Sequence, residues 1–311
     1  MKIKVILFAF FLIAHPTLRA EDGYRLWLRY DRLTDAAMVA DYQNALQEVL
    51  LLGDSPTLAV AKKELQMGME GLLGAKVNPT NVVDNNGTLV IAKSNASILS
   101  ELDFAERLDA MNEEGFLIFT ATINSKSATV ITAKEDVGLL YGVFHLLRLV
   151  QTQQPLEKLD IRSAPDVQVR MLNHWDNLDR TVERGYAGFS IWDWHKLPDY
   201  IDPRYIDYAR ANASLGLNGF TPTNVNANAL ILTPSYLEKV AALADIMRPY
   251  GIKMYLTARF SAPIEIGGLE TADPLNPEVQ AWWTAKVDEI YQYVPDFGGF
   301  LVKANSEGQP G

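Results

Sequence analysis

Four stretches of the chain set carboxylate, amide, basic and aromatic side chains directly behind short apolar runs. They are Asn173-His174-Trp175-Asp176-Asn177, Thr223-Asn224-Val225-Asn226-Ala227-Asn228, Ala258-Arg259-Phe260-Ser261 and Lys303-Ala304-Asn305-Ser306-Glu307-Gly308-Gln309-Pro310-Gly311. That inventory suits a carbohydrate: aromatic faces stack on sugar rings, amides and carboxylates bond hydroxyls, and a carboxylic acid can protonate a glycosidic oxygen. Glu307 is the candidate acid, since the surrounding Gly and Pro leave it no helix or strand to hide in; the competing reading is a solvated loop carboxylate. Lys303 either holds an anionic substituent or is a surface charge at a strand end. Trp175 is either a stacking platform or a barrel-core aromatic, and Asp176, Asn224 and Arg259 complete the candidate substrate contacts. Trp192 and Trp194 either line a cleft or share one face of a short extended segment. His174 and His195 form no i,i+4 pair and have no accompanying carboxylate triad, which argues against a zinc hydrolase. No Gly-x-Ser-x-Gly elbow supports a serine hydrolase, and no metal or other cofactor is expected.

The elements that position these residues follow from periodicity. From Tyr24 to about Pro165, strands and helices mix without strict alternation. Strands are expected at Tyr24–Leu28, Thr88–Ala92, Gly115–Thr122, Ala128–Thr132 and Leu159–Arg162. Helices are expected at Ala36–Leu52, Thr57–Leu73 and Glu135–Gln151, the last with Leu139, Leu140, Val143, Phe144, Leu147 and Val150 on one face; His145 within it is a packed structural residue. After Pro165 the rhythm is regular. Strands at Val167–Leu172, Gly219–Asn224, Ile252–Ala258 and Gly299–Lys303 alternate with helices at Pro203–Leu215, Pro234–Tyr250 and Pro277–Tyr293, where Trp282 and Trp283 pack helix against sheet. Such alternation means a parallel sheet, either open and doubly wound or closed as a (β/α) barrel. No Gly-rich loop follows its first strand, which counts against a dinucleotide fold.

Composition narrows the class. At 48% hydrophobic and 21% charged, the 311 residues are globular in character and long enough for two domains. The absence of cysteine removes disulfides, thiolate metal sites and cysteine nucleophiles. With 28 basic against 38 acidic side chains, the net charge of −10 argues against nucleic acid as a partner. Lys2 and Lys4 ahead of the apolar run Val5–Ala14, with Leu18-Arg19-Ala20 before Glu21-Asp22, have the plan of a secretory signal cleaved near Ala20. The mature protein is expected to be secreted or periplasmic, and no later segment has the length and apolarity of a membrane helix.

The blocks Leu172–Asp179, Glu183–Gly188, Asn224–Ala227 and Gly298–Gly311, in that order, resemble the family 67 glycoside hydrolases, the xylan α-glucuronidases. The resemblance implies an α/β fold: a signal peptide over 1–20, a small α+β N-terminal domain over 21–162, and over 163–311 the first half of a (β/α)8 TIM-type barrel. It also implies that the chain is truncated, with the remaining barrel strands and a dimer-forming helical C-terminal domain absent. The implied activity is inverting removal of α-1,2-linked (4-O-methyl)glucuronic acid from the terminal xylose of glucuronoxylan-derived oligosaccharides, without a metal. Glu307 becomes the general acid, Lys303 lies near the uronic carboxylate, and Trp175 and Val225 wall the glucuronate pocket. Arg180 stands where a small residue is expected, and Phe220-Thr221-Pro222-Thr223 is atypical. Inversion needs a second carboxylate about 6.5–9.5 Å from the acid; in the family it comes from later strands, so the 311 residues alone are expected to be inactive. Two other readings compete: a periplasmic sugar-binding protein without turnover, and another barrel glycosidase such as a hexosaminidase. The latter would want an adjacent acidic pair, which Ser306-Glu307 does not provide.

Overall fold

The computed structural model describes residues 21–302, which form two sheets with helices packed on them. The elements of the first sheet and its helices are α1 (Ala36–Ala45), β1 (Glu48–Leu51), α2 (Pro56–Leu73), β2 (Thr88–Lys93), α3 (Ala105–Asp109), β3 (Phe116–Ile123), β4 (Lys126–Ala133), α4 (Asp136–Gln151) and β5 (Asp160–Ser163). The strand order is β1-β2-β4-β3-β5, with β1, β2 and β4 parallel and β3 antiparallel to both its neighbours. Strand alternation sends Leu89 and Ile91 of β2 to one face and Val90 and Ala92 to the other, and both faces are covered. α2 starts where the Ser55 hydroxyl accepts the Leu58 N–H at 3.2 Å and Pro56 presets the first turn; it stops at Gly74, whose φ of 58° is left-handed.

The second sheet holds β6 (Met171–Asn173), β7 (Gly219–Thr221), β8 (Lys253–Thr257) and β9 (Gly299–Leu301). Between them run α5 (Pro203–Ser214), α6 (Pro234–Met247), the single turn α7 (Ala262–Glu265) and α8 (Pro277–Tyr293). All four strands are parallel and lie in sequence order. A doubly wound sheet reverses its order at a switch point; these four strands do not, an order consistent with part of a (β/α) barrel. Tyr255 on β8 lies across its neighbours' backbones. A Cβ on Gly219 would sit 2.8 Å from the Tyr255 ring, and one on Gly298 would sit 2.4 Å from it. Glycine on both sides is what lets this ring lie on the sheet.

One continuous apolar core runs from α2 and α4 through Trp192, Trp194 and Phe220 to Met254 and Leu256. Polar groups fasten the same junction. Glu64 on α2, 2% exposed, accepts two bonds from Arg210 on α5, at 2.8 and 2.9 Å, and one from the Tyr30 hydroxyl at 2.7 Å. Burial and the neighbouring carboxylate push the Tyr30 hydroxyl far up, so it remains a donor. Glu114, ahead of β3, pairs with Arg170 and accepts from Asn218 Nδ2 at 2.9 Å. Among the described residues no helix is long and apolar enough to cross a membrane.

The strand expected at Gly219–Asn224 stops at Thr221, the helix expected to Tyr250 stops at Met247, and three other elements differ more. Tyr24–Leu28 is a turn rather than a strand, with Leu26 and Leu28 N–H groups bonded three residues back. Its side chains are claimed by α5 instead: Trp27 Nε1 donates to Ser214 Oγ at 2.7 Å and the Tyr24 hydroxyl to Asp207 at 2.8 Å. The helix expected to Leu52 ends at Ala45, because Val49–Leu51 pair in parallel with β2. Of Val167–Leu172 only Met171 and Leu172 are in β6; Val167 and Val169 are exposed. The chain is pinned just before β6, where the Arg170 N–H donates to Asn218 Oδ1 at 2.9 Å. Met171 is therefore the first residue to join the ladder.

Candidate active site

The C-terminal ends of β6, β7 and β8 carry the candidate residues. Trp175 is 47% exposed there. Behind it lies a narrow hairpin in which Asn177 N–H bonds the Thr181 carbonyl at 2.8 Å and Glu183 N–H bonds the Trp175 carbonyl at 2.7 Å. Arg180 takes a left-handed φ of 72° in this hairpin, and Asp193 holds its guanidinium at 3.0 Å. Among the described residues Trp175 is thus an exposed aromatic at the strand ends. Trp192 and Trp194 go the other way: both are fully buried, and neither lines a cleft.

Among the described residues, the side chains of the clusters behind β6, β7 and β8 do not all face one open space. His174 turns into the protein, with Nε2 2.8 Å from the Tyr208 hydroxyl and its ring against Trp192 and Phe220. Burial pushes the Tyr208 hydroxyl up and keeps it protonated. Asp176 is 6% exposed and lies 3.7 Å from His174 Nδ1, while its carbonyl accepts the Asn224 N–H at 3.0 Å. Asp176 and Asn224, read from the sequence as substrate contacts, are structural in this arrangement. The reason is visible at Asn224, 5% exposed. Its side-chain N–H donates to Asn177 Oδ1, its Oδ1 accepts the Asn226 N–H at 2.7 Å, and its carbonyl accepts the Thr257 hydroxyl at 2.9 Å. One residue joins the loops behind β6 and β7 to the end of β8. It also sets the half-buried Val225, and Asn226 after it, at the rim.

Arg259 is engaged rather than open. Its Nε donates to Glu265 at 2.6 Å and its Nη1 to the Asn226 carbonyl at 3.2 Å. Burial pushes the Glu265 carboxyl up, but the Ser261 hydroxyl and the guanidinium outweigh it and hold the group below its ordinary value. Beside this pair lies an open cavity of about 440 Å³ between the loops of all three strands. Asn177, Asp179, His195, Asn228 and Tyr236 contribute to its walls. The Asp179 carboxyl is held low by the Thr181 hydroxyl and N–H, at 2.6 and 2.9 Å. Sequence reasoning missed Thr257, Glu265 and Tyr236, which have no motif; His195 was read only as a failed metal ligand. Lys303 and Glu307 lie outside the described residues, as does the expected signal segment over residues 1–20.

Comparison with known families decides what this scaffold is. The glycosyl hydrolase family 67 middle domain matches residues 149–311, and the family's N-terminus matches residues 26–146. The chain belongs to glycosyl hydrolase family 67. Proteins named probable alpha-glucuronidase A match it over 94% of its length: 35% identity over 300 residues in Aspergillus oryzae and 36% over 305 residues in Aspergillus terreus. The family 67 chain spans about a third of these relatives, 34% of each. Among solved structures, a GH138 enzyme targeting pectin rhamnogalacturonan II superposes with a TM-score of 0.56 at 18% identity, over 81% of this chain and 30% of that one. At that identity the likeness concerns the fold alone.

Proposed function

We propose that the complete gene product is an exported α-glucuronidase that removes (4-O-methyl)glucuronic acid from the terminal xylose of glucuronoxylan-derived oligosaccharides with inversion. The observation that carries this is the match of 94% of the chain, at 35% identity, to proteins bearing that name. The exposed Trp175 at the strand ends supports it, because a sugar pocket needs an aromatic face that solvent can reach. In this reading Trp175 and Val225 wall the glucuronate pocket and the Lys303 ammonium faces the uronic carboxylate. Glu307 donates its proton to the glycosidic oxygen as the bond to the sugar breaks. A second carboxylate then takes a proton from the attacking water on the opposite face. That base is not assigned among these 311 residues, and the 311-residue chain alone is expected to give no turnover.

The test is release of uronic acid from aldouronic acids by the complete gene product. Glu307→Gln should lower the rate by about 10²–10⁴, the usual contribution of a general acid; a variant with full activity overturns the role of Glu307. N-terminal sequencing of the exported protein should begin at Glu21, and retention of residues 1–20 would overturn export by this segment.

A further inference from the structure

Arg180 stands at the tip of the hairpin that follows Trp175, in a conformation that most side chains avoid. Its φ of 72° lies in the left-handed region, which glycine enters freely and a residue with a Cβ only at a cost. The turn itself is closed by backbone alone. Arg180 N–H donates to the Asn177 carbonyl at 3.1 Å, and the Arg180 carbonyl accepts the Ser190 N–H at 2.9 Å. A small residue would satisfy both bonds, so an arginine here calls for a contribution from its side chain.

That side chain fastens the tip to the core. Nη1 donates to Asp193 Oδ2 at 3.0 Å and Nη2 to the Ser190 carbonyl at 3.3 Å. Nε is buried without a hydrogen-bond partner among the described residues, so these two bonds carry the anchoring. Asp193 is a firm support. It is 9% exposed, it stands between the fully buried Trp192 and Trp194, and its N–H donates to the Tyr205 hydroxyl at 2.8 Å. From the tip, the hairpin's backbone pairing runs back through Asn177 with Thr181 and Asp176 with Val182 to the bond between Glu183 N–H and the Trp175 carbonyl. The anchored tip and the exposed indole are thus two ends of one paired segment.

We propose that Arg180 is a positioning residue of the sugar site: anchored on Asp193 and the Ser190 carbonyl, it fixes the hairpin that begins at Trp175 and holds the indole as a wall of the glucuronate pocket. It acts through Trp175 and not on the reacting atoms. The proposal rests on the α-glucuronidase reading.

The test is the rate of uronic acid release from aldouronic acids, against substrate concentration, by the complete gene product and its Arg180→Gly and Arg180→Lys variants. Glycine keeps the left-handed φ and loses the anchor, whereas lysine keeps a cation for Asp193 and loses the forked second bond. Arg180→Gly should raise KM about tenfold with kcat within about twofold, because a wall residue binds ground state and transition state alike. Arg180→Lys should fall between it and the unsubstituted protein. An anchor that served stability alone would lower the melting temperature and the active fraction, hence kcat, and leave KM where it is. An unmoved KM in Arg180→Gly overturns the assignment, as does a loss confined to kcat. If Arg180→Gly does not fold, Arg180→Lys against the unsubstituted protein decides by the same KM criterion. Absence of release by the unsubstituted protein overturns the α-glucuronidase reading, and this assignment with it; release with KM unmoved in the variants overturns the role of Arg180 alone.

Discussion

Substitution of Asn224 tests whether the strand-end loops are held by one hydrogen-bonded node. The Asn177 amide cannot turn over, because its Nδ2 already donates to the Thr181 hydroxyl at 2.9 Å and the Glu183 carbonyl at 2.8 Å. Its Oδ1 therefore faces Asn224, which must present its own N–H there and its oxygen to the Asn226 N–H. Asn224→Ala removes both bonds, each worth about 1 kcal/mol net, and leaves the half-buried Asn177 oxygen short of a donor, for a loss of about 2–3 kcal/mol. Asn224→Asp is closer in shape, yet it sets a carboxylate against the Asn177 oxygen and should cost at least as much at pH 7. When protonated, the Asp hydroxyl can donate to Asn177, so its folded-state pKa is raised above the unfolded value of about 3.9. The deficit is accordingly smallest below that value and grows as pH rises through the folded pKa. Urea unfolding followed by tryptophan fluorescence at pH 4 and pH 7 reads both effects. An Asn224→Asp protein markedly more stable than Asn224→Ala at pH 7 would show that the site wants volume, and would refute the argument from amide orientation.

Three further outcomes follow from other contacts. Glu64→Ala strands the Arg210 guanidinium at the junction of the two sheets and should cost about 3 kcal/mol. Adding Arg210→Met should recover most of it, and additive losses in thermal melts would contradict the pairing. Gly298→Ala sets a Cβ 2.4 Å from the Tyr255 ring and should cost about 1–3 kcal/mol by overpacking; a neutral effect on unfolding would show that the ring moves freely. Glu265, held low by Ser261 and Arg259 against its burial, should titrate below ordinary glutamates by NMR. Its pairing with Arg259 is full above the ordinary carboxylate range and is lost as pH falls through the lowered value, so an ordinary titration would contradict the paired state.

Much of the scaffold could be read from periodicity. Pro56, Pro203, Pro234 and Pro277 each open a helix, and β2 to β5 stand within a residue or two of their expected ends. Where the reading failed, distant partners had overruled local pattern. Tyr24–Leu28 has the composition of a strand but is held as a turn by Ser214 and Asp207, residues far along the chain. Val49–Leu51 continues a helical pattern and is drawn into the sheet by β2. At the site, the run Asn173-His174-Trp175-Asp176 gives neighbours opposite fates: Trp175 faces solvent, while His174 and Asp176 face inward.

The amino-acid sequence alone determined the order of most strands and helices, the family to which the chain belongs, and the loops in which its polar and aromatic residues collect. These depend on local patterning and on short motifs. Only the tertiary structure decided which of those residues reach solvent and which serve packing. Exposure at a strand end depends on segments that meet in space, as the loops behind β6 and β7 and the end of β8 meet at Asn224, and spacing along the chain does not encode that meeting. The charge balance around Arg259 has the same origin, since its neutralising partner and its acceptor come from two different loops.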